Sequence, residues 1–410
     1  MLLAVGLLAT AAIDNLVGIS RGIADVLFYG EDLPILVGIV GLIAAFDLSS
    51  RIAGRRAVEP AVRCATRRLR QPLAIFWLEK VGPGRGALLL AAACTLVSWF
   101  GVRLVFESYP LSMDEFLADF DARVFAHAEL AAKVAPAWRG FIAALQPMFV
   151  RHTPDGSYWF SGYLPVNAAL RAIGLTLKCE SLISPLLAGL GVIATWWAAR
   201  KLWPERKETA LCATVLLASS SQLLITAMTP YAMTAHLAFN TLWLCLFLKG
   251  GRTGHGLALV VGFLACGIHQ LVFHPLFVAP FIVQLWLDRK LRLAMVYTTA
   301  YAAFALFWGD YFQLALDVTG AGRTAGAGVG GFAAGAIDLA RSFDPRSVGV
   351  MAKNLIRFAT WQSLLTIPLL VLASAAALRA GGHLRSLILG IVLTLAAMFV
   401  LMPDQDDGWG

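Results

Sequence analysis

The sequence has few charged residues and lacks the short motifs of several common enzyme classes. Asp, Glu, Lys and Arg make up 14% of its 410 residues, whereas a soluble domain carries about a quarter. Its six cysteines show no CxxC spacing and its seven histidines no HExxH spacing. Its glycine-rich run, 320–331, has no GxxxxGK[ST] element. These absences exclude a P-loop and weigh against a zinc site.

Long apolar runs are present instead. Hydrophobic residues make up 59% of the chain, the mean hydropathy is +0.73, and runs long enough to cross a bilayer recur throughout. The period-2 alternation of an outer-membrane barrel is missing. The sequence therefore predicts an all-α fold, a polytopic transmembrane helix bundle of about eleven spans. The predicted spans lie near 2–24, 33–48, 86–106, 181–199, 209–228, 231–248, 256–273, 274–287, 291–312, 359–378 and 384–402.

Basic residues indicate the orientation of this bundle. The loop 49–85 holds nine Lys and Arg residues against two acids, which predicts that it is cytoplasmic. Every later turn assigned to the same side is also basic. The segments 107–180 and 313–358 then face outward. Amphipathic helices at the membrane interface are expected in the first of them, over 113–131, 139–150 and 165–178. The net charge of +8 is thus a topology signal, and it favours membrane lipid over nucleic acid as the anionic partner.

The two ends of the chain carry weaker signals. Residues 1–12 are similar to the apolar part of a signal peptide, but no Lys or Arg precedes them, which favours a first helix over a cleaved signal. The closing residues, 404–410, form a polar turn rich in Asp and Gly. Such a turn usually leads into another element, so we expect the protein to continue beyond residue 410. Residues 1–410 themselves are expected to form a single membrane-embedded domain.

An acidic pair, Asp114-Glu115, follows the third predicted span on the outward side. Carboxylates near a bilayer are costly and usually functional. One interpretation is structural, because Ser112-x-x-Glu115 matches a capping box and acids in a first turn complement the helix dipole. The other is that one carboxylate acts as a general base, or that the pair holds a divalent cation such as Mg²⁺ or Mn²⁺. The two interpretations are compatible.

Histidines and arginines extend this candidate site. Several histidines on the outward side, near the acids, predict a polar cavity at the mouth of the bundle. A single histidine at such a place is more often an interfacial residue with a satisfied hydrogen bond. The outward arginines are suited to binding a phosphate or a lipid headgroup. The residues predicted to bind substrate are Arg151, His152, His236, His269, His274 and Arg323.

The stretch Val105-Phe-Glu-Ser-Tyr-Pro-Leu-Ser-Met-Asp-Glu-Phe116, with a basic loop before it and a helical outer segment after it, resembles the GT-C type of membrane glycosyltransferase. Protein mannosyltransferases and the aminoarabinose transferase of lipid A belong to this family. The resemblance implies a donor sugar on a polyprenyl phosphate. It also implies that Asp114 is the base and that Glu115 assists in binding the acceptor or a metal ion. The resemblance covers the architecture of most of the chain, whereas its motif is a dipeptide.

The leading hypothesis is therefore a glycosyltransferase of the bacterial inner membrane whose active site faces the periplasm. It would transfer a hexose or pentose from a polyprenyl-phosphate donor to a lipid, glycan or protein acceptor. A transporter or flippase of lipid-linked saccharide is an alternative, and it would place ionisable residues along a path at mid-membrane depth. A polymerase or ligase of surface polysaccharide is a third, and it would depend on Arg151 more than on Asp114.

Overall fold

The computed structural model of the protein describes residues 29–30, 33–52, 81–319, 337, 341, 347–362 and 382–401. Some predicted features lie outside the described residues. They are the first span near 2–24, most of the basic loop 49–85, the glycine-rich run with Arg323, most of the span near 359–378, and the closing residues 403–410.

Helices form most of the described chain, because a helix satisfies its backbone hydrogen bonds within one apolar run. In chain order they are α1 (Leu33–Ile52), α2 (Pro83–Leu104), α3 (Met113–Ala126), α4 (Ile142–Leu145), α5 (Val166–Thr176), α6 (Ile183–Leu202), α7 (Lys207–Ala218), α8 (Ser221–Thr226), α9 (Met233–Lys249), α10 (Gly251–Cys266), α11 (Phe273–Leu287), α12 (Leu291–Gly309), α13 (Tyr311–Thr319), α14 (Ser347–Gln362) and α15 (Gly382–Leu401). Short 3₁₀ helices cover Pro136–Phe141 and Glu180–Leu182.

Three helical stretches in the described residues are long and apolar enough to cross a membrane. They are Pro83–Leu104, Glu180–Leu202 and Leu291–Gly309. Large apolar side chains on these helices point away from the protein, among them Leu89 and Leu306, as expected for lipid-facing surfaces. The predicted helical class and membrane character are confirmed at this level. The count of about eleven spans stays a prediction.

The bundle has two different ends. Helix α6 packs against α2, α7 and α9, while α9 packs against α10, and α11 against α12 and α15. Because the connections are short, successive helices run antiparallel. We call the end at which α6, α9 and α11 finish the basic end, since Arg200, Lys249 and Lys290 lie there. The opposite end carries residues 105–182. We call these residues the cap and this end of the bundle the cap end.

The cap combines helices α3 and α5 with a small antiparallel sheet. Its strands, β1 (Ala132–Lys133), β2 (Val150–His152) and β3 (Tyr158–Ser161), lie in the order β1-β3-β2. Val150 pairs with Ser161 and Ala132 with Trp159. The sequence pattern predicts only helices in this segment, so the sheet was not expected.

The helices of the cap also differ in part from those expected. A helix expected over 113–131 begins at Met113 and ends at Ala126, and one expected over 165–178 is α5. Where a helix was expected over 139–150, a 3₁₀ segment and the single turn α4 are found. Pro136 and Pro147 bound that region, and proline does not continue a helix past its first turn. Placement of these helices at a membrane interface stays a prediction.

Backbone hydrogen bonds join the cap to the bundle. Leu164 N–H donates to the His269 carbonyl at 3.0 Å, and Val166 N–H donates to the Gly267 carbonyl at 2.9 Å. The Asn167 side-chain amide donates to a carbonyl in the connection between α8 and α9 at 3.1 Å. The start of α5 is therefore held against two helix connections at the cap end.

The connection between α10 and α11 is closely packed from the bundle side. A Cβ atom at Gly267 would overlap the indole ring of Trp308. That ring is only 6% exposed, and its Nε1–H donates to the Phe263 carbonyl at 2.8 Å. Because the ring is held in place, only glycine fits here without displacement. The position of His269, two residues later, is thereby fixed.

Candidate active site

The acidic pair lies in the first turn of α3, where the capping interpretation placed it. Glu115 N–H donates to Ser112 Oγ at 3.3 Å, and Leu111 N–H donates to Glu115 Oε2 at 2.8 Å. Glu115 is only 3% exposed, and burial raises the pKa of its carboxyl more than the Leu111 hydrogen bond lowers it. Its side chain lines neither of the two cavities described below. This position fits a structural role for Glu115.

Asp114 turns to a different side of α3 and meets the segment after β3. Tyr163 Oη–H donates to Asp114 Oδ1 at 2.5 Å, a short bond of the kind formed with a charged acceptor. The Tyr163 ring lies against the His269 ring, with centroids 3.9 Å apart. Burial, followed by the hydrogen bond to Asp114, raises the pKa of Tyr163, so this hydroxyl stays protonated. Asp114 is thus oriented by a fixed donor, and no other hydrogen bond to its carboxylate is formed by the described residues.

A cavity of about 700 Å³ begins beside Asp114 and runs between the helices toward the basic end. Apolar side chains form most of its wall, reaching Leu202 and Trp203 at the end of α6. Among the lining residues that the structure describes, every ionisable side chain belongs to the cap, to a cap-end connection or to the first turn of α9. The polar side chains at the cap end include Asp114, Asp121, Tyr163, Asn167, His236 and His269. The cavity therefore has a polar mouth and a long apolar body.

A second carboxylate, Asp121, lines the same cavity and was not selected from the sequence. It follows Asp114 by two helical turns, so the two carboxylates share one face of α3 at a spacing of about 10 Å along the axis. Asp121 is 8% exposed. Burial raises the pKa of its carboxyl to about 7, although side-chain and backbone hydrogen bonds with Ser161 oppose the change. The i, i+7 spacing was the available signal for this residue.

Two buried histidines of the predicted set have different surroundings. His274 is fully buried, and its Nδ1 lies 2.6 Å from Asn240 Oδ1 and its Nε2 lies 2.8 Å from Tyr301 Oη. Since the amide oxygen only accepts, Nδ1–H donates to it and the Tyr301 hydroxyl donates to Nε2. His274 is thus a satisfied core residue and lines neither cavity. His236 does line the large cavity, and neither of its ring nitrogens has a hydrogen-bond partner among the described residues.

The remaining predicted residues lie away from this cavity or outside the described residues. Arg151 is exposed on β2, with its guanidinium 5.5 Å from the centre of the Phe312 ring. His152, next to it, donates from Nδ1 to a backbone carbonyl of the same turn at 2.9 Å. Arg323 lies outside the described residues. Of the predicted set, the cavity brings together Asp114, His236 and His269.

The described residues do not gather a metal-binding donor set. No group of three or more His, Cys, Asp or Glu side chains in the described part of the chain is arranged to hold a metal ion. Asp114 and Glu115 turn to different sides of α3, and Glu115 accepts the capping hydrogen bond. The Mg²⁺ or Mn²⁺ site predicted for these two side chains stays a prediction.

Comparisons with protein-family models, with curated proteins and with solved structures found no match to this chain. The resemblance to GT-C glycosyltransferases therefore rests on the sequence pattern alone. Because fold does not imply function, a function has to be argued from the site itself.

Proposed function

We propose that this chain is a membrane glycosyltransferase in which Asp114 is the general base and a lipid-linked sugar is the donor. The observation that carries this proposal is an oriented carboxylate at the polar mouth of a long apolar cavity. A polyprenyl chain requires apolar walls, whereas a sugar and its acceptor require hydrogen-bonding groups. A cavity of about 700 Å³ lies in the size range of small-molecule sites.

The proposed reaction assigns one step to Asp114. The acceptor oxygen attacks the anomeric carbon while its proton passes to the Asp114 carboxylate. The bond between that carbon and the phosphate oxygen breaks, and the polyprenyl phosphate leaves with the electron pair. The transition state has oxocarbenium character, and a positioned base contributes about 10²–10⁴ in rate. Tyr163 supports this step, because its hydroxyl fixes the carboxylate without competing for the acceptor's proton.

Two histidines are the other groups proposed to contact substrate. His236 and His269 line the mouth of the cavity, and His236 has ring nitrogens without a described partner. No Lys or Arg occurs among the described lining residues. We therefore propose the histidine N–H groups, together with neutral amide and hydroxyl groups of the lining, as donors to the departing phosphate or to sugar hydroxyls. Arg323, predicted as a phosphate ligand, stays part of the proposal.

The test is transfer activity of the purified full chain in lipid nanodiscs. A panel of polyprenyl-phosphate hexoses and pentoses serves as donors, and release of polyprenyl phosphate is measured. We expect Asp114→Asn to lower kcat by about 10²–10⁴. Glu115→Gln should mainly lower the unfolding temperature and should affect kcat less than Asp114→Asn does. Asp155→Asn, an exposed cap carboxylate away from the cavity, is the matched control. Full activity of the Asp114 variant would remove it from the mechanism, and no release from any donor by the wild-type chain would contradict the function.

A flippase of lipid-linked saccharide is the second candidate, and the length of the cavity favours it. The cavity extends from the cap end to Trp203 near the basic end, as a path for a lipid would. However, the described lining of its basic half has no ionisable side chain to accept a polar headgroup. Movement of a fluorescent prenyl-phosphate saccharide across liposomes, without loss of the sugar, would favour this candidate over transfer.

A further inference from the structure

A second cavity, of about 330 Å³, lies on the opposite side of α3 and α5 from the first. Helix α3 presents Asp121 to the large cavity but Arg123 to this one. Helix α5 likewise presents Asn167 to one and Arg171 to the other. The two cavities have no lining residue in common, so they are separate sites divided by the cap helices.

The acidic groups of this second cavity are already neutralised in part by a buried arginine. Arg171, 6% exposed, donates from Nε to Asp119 Oδ1 at 2.9 Å, and its Nη2 lies 3.5 Å from Glu180 Oε1. Its Nη1 donates to Ser184 Oγ at 3.4 Å. One positive charge therefore offsets two carboxylates, and the guanidinium is fully engaged.

Two further cations lie at this cavity, both of them exposed, and neither forms a close ion pair with the described residues. Arg123, in the last turn of α3, and Lys178, just after α5, both line it. No carboxylate of the described residues lies within ion-pair distance of either side chain. With these two side chains, three cations and two carboxylates line the cavity, so its net charge is positive.

The backbone at Lys178 is in an unfavourable conformation for a lysine. Its φ angle is 57°, in the left-handed region that glycine usually occupies at the end of a helix. A lysine at this position complements the dipole of α5, and it also keeps a charge beside the cavity that glycine would not supply.

The N-terminus of α6 adds hydrogen-bond donors to the same cavity. The 3₁₀ turn Glu180–Leu182 runs directly into α6, and the Ile183 N–H donates to the Glu180 carbonyl, so the donors that remain here are side-chain hydroxyl groups. Ser181 accepts a hydrogen bond from Trp99 Nε1 at 3.3 Å, and Ser184 accepts one from Arg171. Neither hydroxyl proton has an acceptor among the residues described. The helix dipole and these donors favour an anion.

We propose that this second cavity binds a phosphate group, free or on a lipid head, between Arg123, Lys178 and the first turn of α6. The source of the phosphate is the point to be tested. The cavity lies at the cap-end terminus of α2 and the start of α6, two of the candidate membrane-spanning stretches, which is the level of a lipid headgroup. Val102 and Met228 supply apolar surface beside the charges. The proposal concerns a different cavity from the one with Asp114 and does not rest on the glycosyltransferase function.

The test measures binding by the full chain in a neutral maltoside detergent. Thermal unfolding is followed while dihexanoyl phosphatidic acid or inorganic phosphate is titrated at constant ionic strength. We expect the wild-type unfolding temperature to rise with concentration. Lys178→Gly and Arg123→Gln should each weaken the apparent Kd by about tenfold or more, since each removes a charged donor. Lys178→Gly relieves the backbone conformation, so a failure to fold would not explain the loss.

Arg289→Gly is the matched control. Arg289 is also a cation with a positive φ, 56°, after a helix, but it lies at the basic end, and its replacement should leave the apparent Kd unchanged. A response to phosphatidic acid alone would assign the site to a lipid headgroup, and a similar response to both ligands would assign it to phosphate itself. Equal affinity in the wild type and the Lys178→Gly/Arg123→Gln double variant would overturn the proposal. No response to either ligand would do the same.

Discussion

Replacement of Asp121 by asparagine should remove a large pH dependence of folding stability. Asp121 is buried in the wall of the large cavity, and its pKa rises from 3.8 in the unfolded chain to about 7 in the folded one. Below about pH 3 the carboxyl is mostly protonated in both states. As the pH rises toward 7, the unfolded chain releases this proton first. The unfolded state then binds fewer protons than the folded state, so the free energy of unfolding falls with increasing pH.

The magnitude follows from the difference in pKa. About three pKa units, at about 1.4 kcal/mol each, correspond to a loss of about 4 kcal/mol between pH 4 and pH 8. Asparagine has the same shape and can keep a hydrogen bond with Ser161, but it does not ionise. We therefore expect Asp121→Asn to be more stable than the wild type at pH 7 and to show a flatter profile.

The measurement is the unfolding midpoint of the purified chain in detergent from pH 4 to pH 8, for the wild type and for variants. Asp155→Asn is the control, because hydrogen bonds from Thr153 and Ser157 lower the pKa of that exposed carboxyl to about 2. Its contribution is lost only below about pH 4, so the slope above that pH should not change. Parallel profiles for Asp121→Asn and the wild type would refute the argument from burial.

Three further predictions concern stability, measured by the same unfolding midpoint at one pH. Gly267→Ala should destabilise the chain by about 1–3 kcal/mol through overlap with the neighbouring indole, whereas Gly256→Ala, where a Cβ meets open space, should be neutral or stabilising. Equal effects would contradict the packing argument. Arg171→Met should cost about 3–5 kcal/mol, because it leaves two carboxylates of the second cavity without their cation; a neutral result would show that they are solvated. His274→Leu should cost about 2 kcal/mol or more by leaving two partners unsatisfied, whereas His236→Leu should be neutral or stabilising. The reverse order would show that the two histidines have been assigned the wrong roles.

The sequence was sufficient for features that depend on local pattern and on chain parity. Apolar runs predicted the helical class, and the spacing of Ser112 and Glu115 predicted the cap of α3. Counting helices from a basic loop assigned Asp114, His236 and His269 to one end of the bundle. Helices joined by short connections alternate in direction, so residues far apart in the chain can be placed at the same end without knowing how the helices pack.

The sequence could not predict features that depend on which face of a helix contacts which neighbouring element. His236 and His274 both lie at the cap end of apolar helices, and nothing in the flanking residues separates the one in the cavity from the one in the core. The bond between Tyr163 and Asp114 joins residues from separate elements of the cap. The strands of the cap have two to four residues, too few for a periodic pattern.

The way in which the cap is attached limits how a ligand can enter. The amides of Leu164 and Val166 bond directly to the connection that carries His269. A hinge motion that lifted the cap would break these bonds and separate Tyr163 from the His269 ring. Entry between helices, from the side, would leave these bonds intact and keep the Asp114 carboxylate oriented while a ligand enters or leaves. Hydrogen exchange at these two amides should then be as slow as in the helices, and fast exchange would indicate a cap that swings open.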